Sequence, residues 1–372
     1  MVELDPERQD QAEAYATAMR RLSLLHLLLG GACIVVLLVT PVSIGLRNLV
    51  RFPLPLAVAL YVALIMAAFE VVSAPLGFYA GFVLPRRFGL LTQSVREWLA
   101  DYLKRGAVAL VLGLAVIVCV YLLLERLPQL WWLVVSALVV LLSVVMTGLA
   151  PIAVIPLFYK LEPLADTGLV ERLQRLAQRA GTRVSGVFTV DISSKARVGN
   201  AALVGLGRTR RIVIADTLLG RYSADEVEVI MAHELGHHVH HDIVRLIVAQ
   251  SAIVVAGFYL AHRVLGLGVP FFGFEGIADV AAFPLLAIGM GALALFMTPV
   301  INAYSRHLES MADRYALTMT GNPEGFIAAI TKLTNQNLVE ARPRRWMKIL
   351  LYDHPPYCSR VAMAQSYREG GE

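Results

Sequence analysis

The stretch MAHELGHHVHHDIV, residues 231–244, places several metal-binding side-chain types directly before an apolar run. His233 and His237 are four residues apart, so on a helix both imidazoles project from one face and can share a zinc ion. Glu234 lies between them, where its carboxylate can hold an attacking water. This His-Glu-x-x-His pattern is typical of zinc metallopeptidases, but so few fixed positions also recur by chance. A solvated helix face with two surface histidines is the alternative interpretation.

A second stretch, SRHLESMAD at residues 305–313, supplies acidic groups for the same site. A zinc hydrolase needs a third protein ligand and an open fourth position, and we predict Glu309 as that ligand. Asp313 follows one helical turn later, where it would hold the second ring nitrogen of a histidine ligand. The alternative is an acidic stripe that faces solvent. His238, His240 and His241 are interpreted as surface residues or as supports for the ligands.

The surrounding sequence predicts the elements that would position these residues. Ser223 and Glu226 have the spacing of a capping box, which predicts that the histidine-bearing helix begins near residue 224. An amphipathic pattern predicts a helix over 168–180. Runs of β-forming residues between glycine-containing turns predict a small sheet, with strands at 184–192, 200–206 and 210–216.

The composition indicates a membrane protein. Hydrophobic residues make up 57% of the 372 residues, mean hydropathy is +0.64 and only 16% of residues are charged. Apolar runs of spanning length occur near 22–46, 53–84, 106–124, 130–159, 243–266 and 279–302. The second run contains Glu70 and Pro75, so we predict it to be kinked, tilted or broken in two. The fold class is therefore a mainly α polytopic membrane protein with six spans, or seven if that run is broken.

Lysine and arginine are concentrated in alternate connections between these runs. This bias places both termini, the 85–105 loop and the 160–242 insert on the cytoplasmic side. The predicted domains are a cytoplasmic arm (1–21), a transmembrane domain (22–159) and a cytoplasmic α+β zinc metallopeptidase domain (160–372), interrupted by a helix pair at about 243–302. The chain crosses the membrane twice between His237 and Glu309. Both residues are therefore expected on the same side, close to the bilayer surface.

Charge and cysteine content limit the other function classes. The net charge is +5, but the 160–242 insert carries acidic and basic residues in similar number, so a nucleic-acid partner is not expected. Membrane lipid is expected as a partner, because basic loops face anionic headgroups. The RPRRW stretch at 342–346 is consistent with lipid contact and equally with a solvated charge run. The three cysteines, one of them Cys358, provide neither a disulfide framework nor a CxxC metal site.

Several motifs together resemble the type I CAAX prenyl protease family of integral-membrane zinc metallopeptidases. They are FGLLTQSVREWLADYLK (88–104), SSKARVGNAALVGLGRTRRIVIADTLL (193–219), HELGH, SRHLESMAD and HPPYCSR (354–360), in the order found in that family. The resemblance covers most of the chain from about residue 55 onward. The excess of arginine over lysine favours a bacterial member.

The resemblance implies a gluzincin-type domain with one zinc per chain. It implies that a membrane-attached or lipidated peptide substrate loses its C-terminal tripeptide. The residues it implies are zinc ligands His233, His237 and Glu309, general base Glu234, cleft-facing donors His354 and Arg360, and substrate-strand residues Asn200 and Ala201.

Two other functions are compatible with the motifs. A quality-control protease like the HtpX heat-shock family would use the same metal chemistry on unprenylated membrane proteins. A metal transporter would use ionisable groups inside the spans, and His26 and Glu70 are the candidates.

Overall fold

The computed structural model of the chain describes residues 3–149, 153–205 and 207–370. Residues 150–152 of the predicted fourth span and Leu206 of a predicted strand lie outside the described residues. So do residues 1–2 of the predicted arm and residues 371–372 of the predicted metallopeptidase domain.

Long apolar helices form the first half of the chain. They are α1 Pro6–Val39, α2 Val42–Leu49, α3 Leu54–Phe78, α4 Leu84–Arg87, α5 Val95–Arg126 and α6 Trp131–Leu149. The second predicted span is not broken, because a π-helical turn at Tyr79–Val83 joins α3 to α4 without interrupting the helix. The predicted N-terminal arm is helical and continuous with the first span, since Asp5 caps α1 and the helix continues beyond residue 21.

The second half combines a small sheet with seven more helices among the described residues. The strands are β1 Leu161–Pro163, β2 Val187–Val190, β3 Ala201–Val204 and β4 Arg211–Ala215. The helices are α7 Thr167–Arg179, α8 Ala224–Val239, α9 Asp242–Phe272, α10 Phe283–Thr320, α11 Pro323–Gln336, α12 Arg345–Leu351 and α13 Tyr357–Arg368. Helices α7 and α8 confirm the predicted helices at 168–180 and from residue 224.

The sheet has the strand order β1-β2-β4-β3, so β3 is an edge strand. Strand β2 runs parallel to β4, whereas β1 and β3 are antiparallel to their neighbours. The three predicted strands are present but shorter than predicted. Strand β1 was not predicted, because it has only three residues and ends in proline, which cannot donate to a strand ladder.

Six helices in the described part of the chain are long and apolar enough to cross a membrane. Helices α9 and α10 are the last two of these and pack against each other as an antiparallel pair. The prediction of six spans is confirmed. Helix α8 comes just before this pair, and the C-terminal part of α10 packs against α8. The helix pair therefore connects the two segments that carry the predicted ligands.

The core of the second half of the chain lies between α7, the sheet and α8. Leu173, Ile212, Ile214 and Met231 are fully buried in it. Helix α8 also packs closely against α10 at Gly236: a Cβ atom there would lie 3.1 Å from Ala312 Cα. The glycine of HELGH therefore permits the close helix contact that brings the two halves of the site together.

Candidate metal centre

One nitrogen from each of His233 and His237 and one oxygen from Glu309 lie within 4.8 Å of one another. The two Nε2 atoms are 3.2 Å apart. The Glu309 oxygens lie 3.3 Å from Nε2 of His233 and 3.4 Å from Nε2 of His237. The structure thus gathers the three predicted ligands at one point.

Helix α8 places its two histidines on one face by its regular geometry. The helix begins with the predicted capping box: Ser223 accepts a hydrogen bond from Glu226 N, and the Glu226 carboxylate accepts one from Ser223 N. Lys332 of α11 also contacts Glu226, at 2.7 Å. The start of α8 is therefore fixed by both local and tertiary contacts.

Carboxylates outside the trio orient both imidazoles. Nδ1 of His233 lies 2.8 Å from Asp313, which is fully buried, and Nδ1 of His237 lies 2.9 Å from Asp242. Because each carboxylate favours a proton on Nδ1, each Nε2 presents a lone pair to the other and to Glu309.

This donor set fits a divalent cation. Oε2 of Glu309 is buried and makes no hydrogen bond to a described residue. Two imidazole lone pairs and a carboxylate that converge repel one another, and a divalent cation bound between them would remove this repulsion. Two nitrogens and one oxygen, with an open side toward a cavity, match the ligand set of catalytic zinc.

Asp242 was not predicted from the sequence. His241, between α8 and α9, has a left-handed backbone conformation with φ 56°. This conformation ends α8 and turns the chain so that Asp242, which is 3% exposed, contacts His237. The only sequence signal was an aspartate just after a histidine-rich helix, and a left-handed histidine is not predictable from local pattern.

We expect Asp242→Asn to weaken metal binding about 10- to 100-fold, because loss of the carboxylate weakens control of the His237 tautomer. Competition between the detergent-solubilised protein and a chelator measures this affinity. Asp225→Asn is the matched control, since Asp225 lies at the exposed start of α8 and pairs with Arg172. Equal metal affinity in Asp242→Asn and wild type would contradict this role.

A cavity of about 550 Å³ opens beside the candidate metal ligands. Glu234 lines it together with His233, as a water-holding carboxylate requires. Burial raises the pKa of Glu234, and the adjacent imidazoles of His233 and His237 oppose this shift. A carboxylate with a raised pKa is a stronger base for a proton of water.

His354 and Arg360 line the same cavity. Nε2 of His354 lies 3.2 Å from Glu309, and a hydrogen bond with Asp353 raises the pKa of its imidazole. Arg360 donates from Nε and Nη2 to Asp313, at 2.8 and 2.6 Å. Arg360 therefore braces the aspartate behind His233, and its third nitrogen, Nη1, has no hydrogen-bond partner among the described residues.

The edge strand β3 borders the cavity, and Asn200 and Ala201 line it. Asn337, just after α11, holds the chain before this strand: its side chain accepts from Gly199 N at 2.8 Å and donates to Gly199 O at 3.0 Å. A Cβ atom on Gly199 would lie 2.8 Å from a side-chain carbon of Leu218, so a larger residue there would require Leu218 to shift. Sequence reasoning missed Asn337 because the contact joins distant parts of the chain.

The groups proposed for a transporter do not assemble a comparable site. The His26 ring packs edge-on against Phe69, and Glu70 accepts a hydrogen bond from the Tyr102 hydroxyl. Across residues 3–149, 153–205 and 207–370, the metal-capable group that the structure brings together is His233, His237 and Glu309.

Six membrane-spanning helices and this ligand set define an integral-membrane metalloprotease, a hydrolase. The chain belongs to peptidase family M48, whose family model matches residues 163–368. Residues 2–160 match the model of the CAAX prenyl protease N-terminal region, described as having five membrane helices. Four of the candidate spans described here lie in that part of the chain.

Three relatives resemble this protein over most of its length. An uncharacterized metalloprotease of Bacillus subtilis, YhfN, is 27% identical over 99% of this chain and 88% of its own length. CAAX prenyl protease 1 of Saccharomyces cerevisiae is 27% identical over 81% of this chain and 70% of its own. The crystal structure of S. mikatae Ste24p superposes with a TM-score of 0.87 at 22% identity, covering 97% of this chain and 90% of that one.

Proposed function

We propose that this protein is a zinc endopeptidase that hydrolyses peptide bonds of membrane-attached substrates, removing the C-terminal tripeptide of CAAX-type proteins. The observation that carries the proposal is the shared cavity, which is lined by Glu234, by the candidate ligand His233 and by the edge strand β3. The CAAX prenyl protease named among the relatives supports the substrate class.

The geometry suggests how the substrate lies in the cavity. Strand β3 pairs only with β4 among the described strands, so its other edge can accept an extended peptide as a further strand. Backbone hydrogen bonds from the Asn200–Ala201 region would align the peptide. Its scissile carbonyl would then face Glu234 and the ligand trio.

Bond cleavage then needs two proton transfers, one from water to Glu234 and one from Glu234 to the leaving amine. Bound zinc, held by His233, His237 and Glu309, supplies Lewis-acid polarisation of the carbonyl. Glu234 accepts a proton from the attacking water as the water oxygen bonds to the carbonyl carbon. The same carboxylate returns the proton to the amine nitrogen as the C–N bond breaks. His354, and Arg360 through Nη1, would donate hydrogen bonds to the carbonyl oxygen as negative charge develops on it.

The catalytic domain and both termini would lie on the cytoplasmic side. The proposal rests on the lysine and arginine bias of the connections. Helices α9 and α10 cross the bilayer in opposite directions, so α8 and the end of α10 that carries Glu309 would lie on the same side.

We expect Asn337→Ala to raise KM for a peptide substrate about tenfold, with a smaller fall in kcat. The reason is that two hydrogen bonds that fix the start of β3 are lost, each contributing about 1 kcal/mol. Steady-state kinetics at saturating zinc measure both constants. Asn335→Ala is the matched control, because Asn335 lies in the last turn of α11, two residues before Asn337, but contacts Glu3 and Asp5. A fall in kcat alone would contradict a role in substrate alignment.

The direct test uses two matched C-terminal peptides, one farnesylated at the CAAX cysteine and one unmodified. Purified protein in detergent and its Glu234→Gln variant are assayed on both, with mass spectrometry of the products. Cleavage of the farnesylated peptide alone, after that cysteine and only by the wild type, is the expected result.

Two other outcomes would redirect the assignment. Equal cleavage of both peptides would overturn the CAAX specificity and favour a quality-control protease that selects substrates by their membrane location. No cleavage of either peptide by protein with a full complement of zinc would contradict the proposed substrate class.

A further inference from the structure

Helix α12 presents an apolar face to its surroundings. Trp346, Ile349 and Leu350 are 53%, 48% and 42% exposed. Their spacing of three and four residues places them on one side of the helix, whereas Met347, on a different side, is buried at 7% exposed. Three large exposed apolar side chains on one short helix are not explained by packing within the chain.

The position of α12 is fixed relative to the membrane-spanning surface. The side chain of Asn302 donates to Leu350 O at 2.9 Å, and Arg306, one turn later on α10, donates to Tyr352 O. Asn302 follows directly on the apolar part of α10, whose Phe296 and Val300 are 72% and 54% exposed. The apolar face of α12 therefore lies at the depth where the hydrocarbon-facing surface of α10 ends.

Basic residues surround this face. Arg342, Arg344 and Arg345 are exposed, Lys348 is half-buried, and none of the four makes an ion pair with a residue that the structure describes. Glu340, the nearest acidic residue before them, is engaged with Arg20 at 2.8 Å and with the Tyr352 hydroxyl. The patch thus carries unneutralised positive charge beside exposed tryptophan, the composition that favours an interfacial helix on an anionic bilayer.

We infer that residues 342–350 form a binding surface for anionic phospholipid headgroups in the bilayer that holds the chain, with Trp346 inserted at the headgroup level. Arginine and lysine supply charge complementarity, and the apolar face continues the lipid-facing surface of α10. This surface is separate from the proposed substrate cleft, and its lipid contact does not depend on which peptide is cleaved.

The lipid surface is nevertheless connected to the catalytic cavity. Leu351, the last residue of α12, lines the cavity wall, and so do Tyr352 and His354, which come just after the helix. Headgroup binding by α12 therefore also steadies the segment that carries His354.

Tryptophan fluorescence of the full-length protein in lipid nanodiscs tests the surface. The chain has four tryptophans, so the Trp346 signal is taken as the difference between wild type and Trp346→Phe. The probes are brominated phosphatidylglycerol and brominated phosphatidylcholine at equal mole fraction. We expect the Trp346 signal to be quenched at least about twofold more by the anionic lipid, because lipid beside the basic patch is enriched in negative charge.

A second set of variants tests whether the lipid preference depends on the basic residues of this surface. Arg344→Gln/Arg345→Gln/Lys348→Gln should abolish the preference for brominated phosphatidylglycerol, whereas Arg175→Gln on the exposed side of α7 should retain it. Unchanged emission of the other tryptophans and an unchanged Tm show that the triple variant is folded.

Two results would overturn the inference. If neither lipid quenches Trp346, the segment is solvated or covered by another protein. If both quench it equally in the wild type, α12 touches the bilayer but does not recognise anionic headgroups.

Discussion

Glu234→Gln should retain the metal and lose about 10³-fold in kcat. The substitution preserves the shape of the side chain in the cavity but removes the carboxylate proposed to accept a proton from water. General base catalysis contributes about 10²- to 10⁴-fold to rate, so most of the hydrolysis should disappear. Because Glu234 is not one of the three converging ligand groups, metal content should stay at the wild-type level. Peptide cleavage and elemental analysis of one preparation measure both properties.

Glu228→Gln provides the control for this substitution. Glu228 lies on the same helix, outside the cavity, and pairs with Arg172 of α7. It should keep kcat within about twofold of wild type, since Glu228 lies outside the cavity and Arg172 keeps its second partner, Asp225. Substantial turnover by Glu234→Gln, with its metal retained, would show that another group activates water.

Glu309→Ala should reduce zinc content from about one per chain to a small fraction. Removal of an outer carboxylate partner already weakens metal binding about 10- to 100-fold, and loss of a direct ligand should exceed that effect. The remaining pair, His233 and His237, would leave the ion with too few protein ligands for a catalytic site. Elemental analysis after dialysis against a weak chelator measures the zinc, and activity should fall in parallel.

Glu324→Ala separates a specific loss from general damage. Glu324 is an exposed carboxylate in the first turn of α11, 3.9 Å from Arg368, and its removal should leave zinc content unchanged. If Glu309→Ala holds zinc as fully as Glu324→Ala, Glu309 is not a ligand. A Tm close to that of wild type protein stripped of zinc would confirm that Glu309→Ala is folded.

Much of the fold follows from local sequence rules. Hydropathy predicts the six spans because a lipid-facing helix must be apolar for about 20 residues. The Ser223–Glu226 pattern predicts the start of α8 because capping is a local interaction. Helix periodicity then brings His233 and His237 to one face, and the parity of membrane crossings predicts that Glu309 returns to the same side.

The remaining features depend on contacts that local rules do not contain. The approach of Asp242 to His237 requires the left-handed conformation of His241, which the sequence does not encode in a recognisable pattern. The two hydrogen bonds between the Asn337 side chain and the backbone of Gly199 join residues 138 positions apart. Arg360 was predicted to face the cleft, but its pairing with Asp313 became visible only once α10 and α13 were placed together.

The insertion of α9 and α10 between His237 and Glu309 has a consequence during biosynthesis. A nascent chain that has completed α8 carries two ligands and the carboxylate of Glu234, but the third ligand reaches them only after the chain has crossed the bilayer twice. Assembly of the candidate metal centre is therefore coupled to membrane integration, because its three groups come together only after α9 and α10 have entered the bilayer.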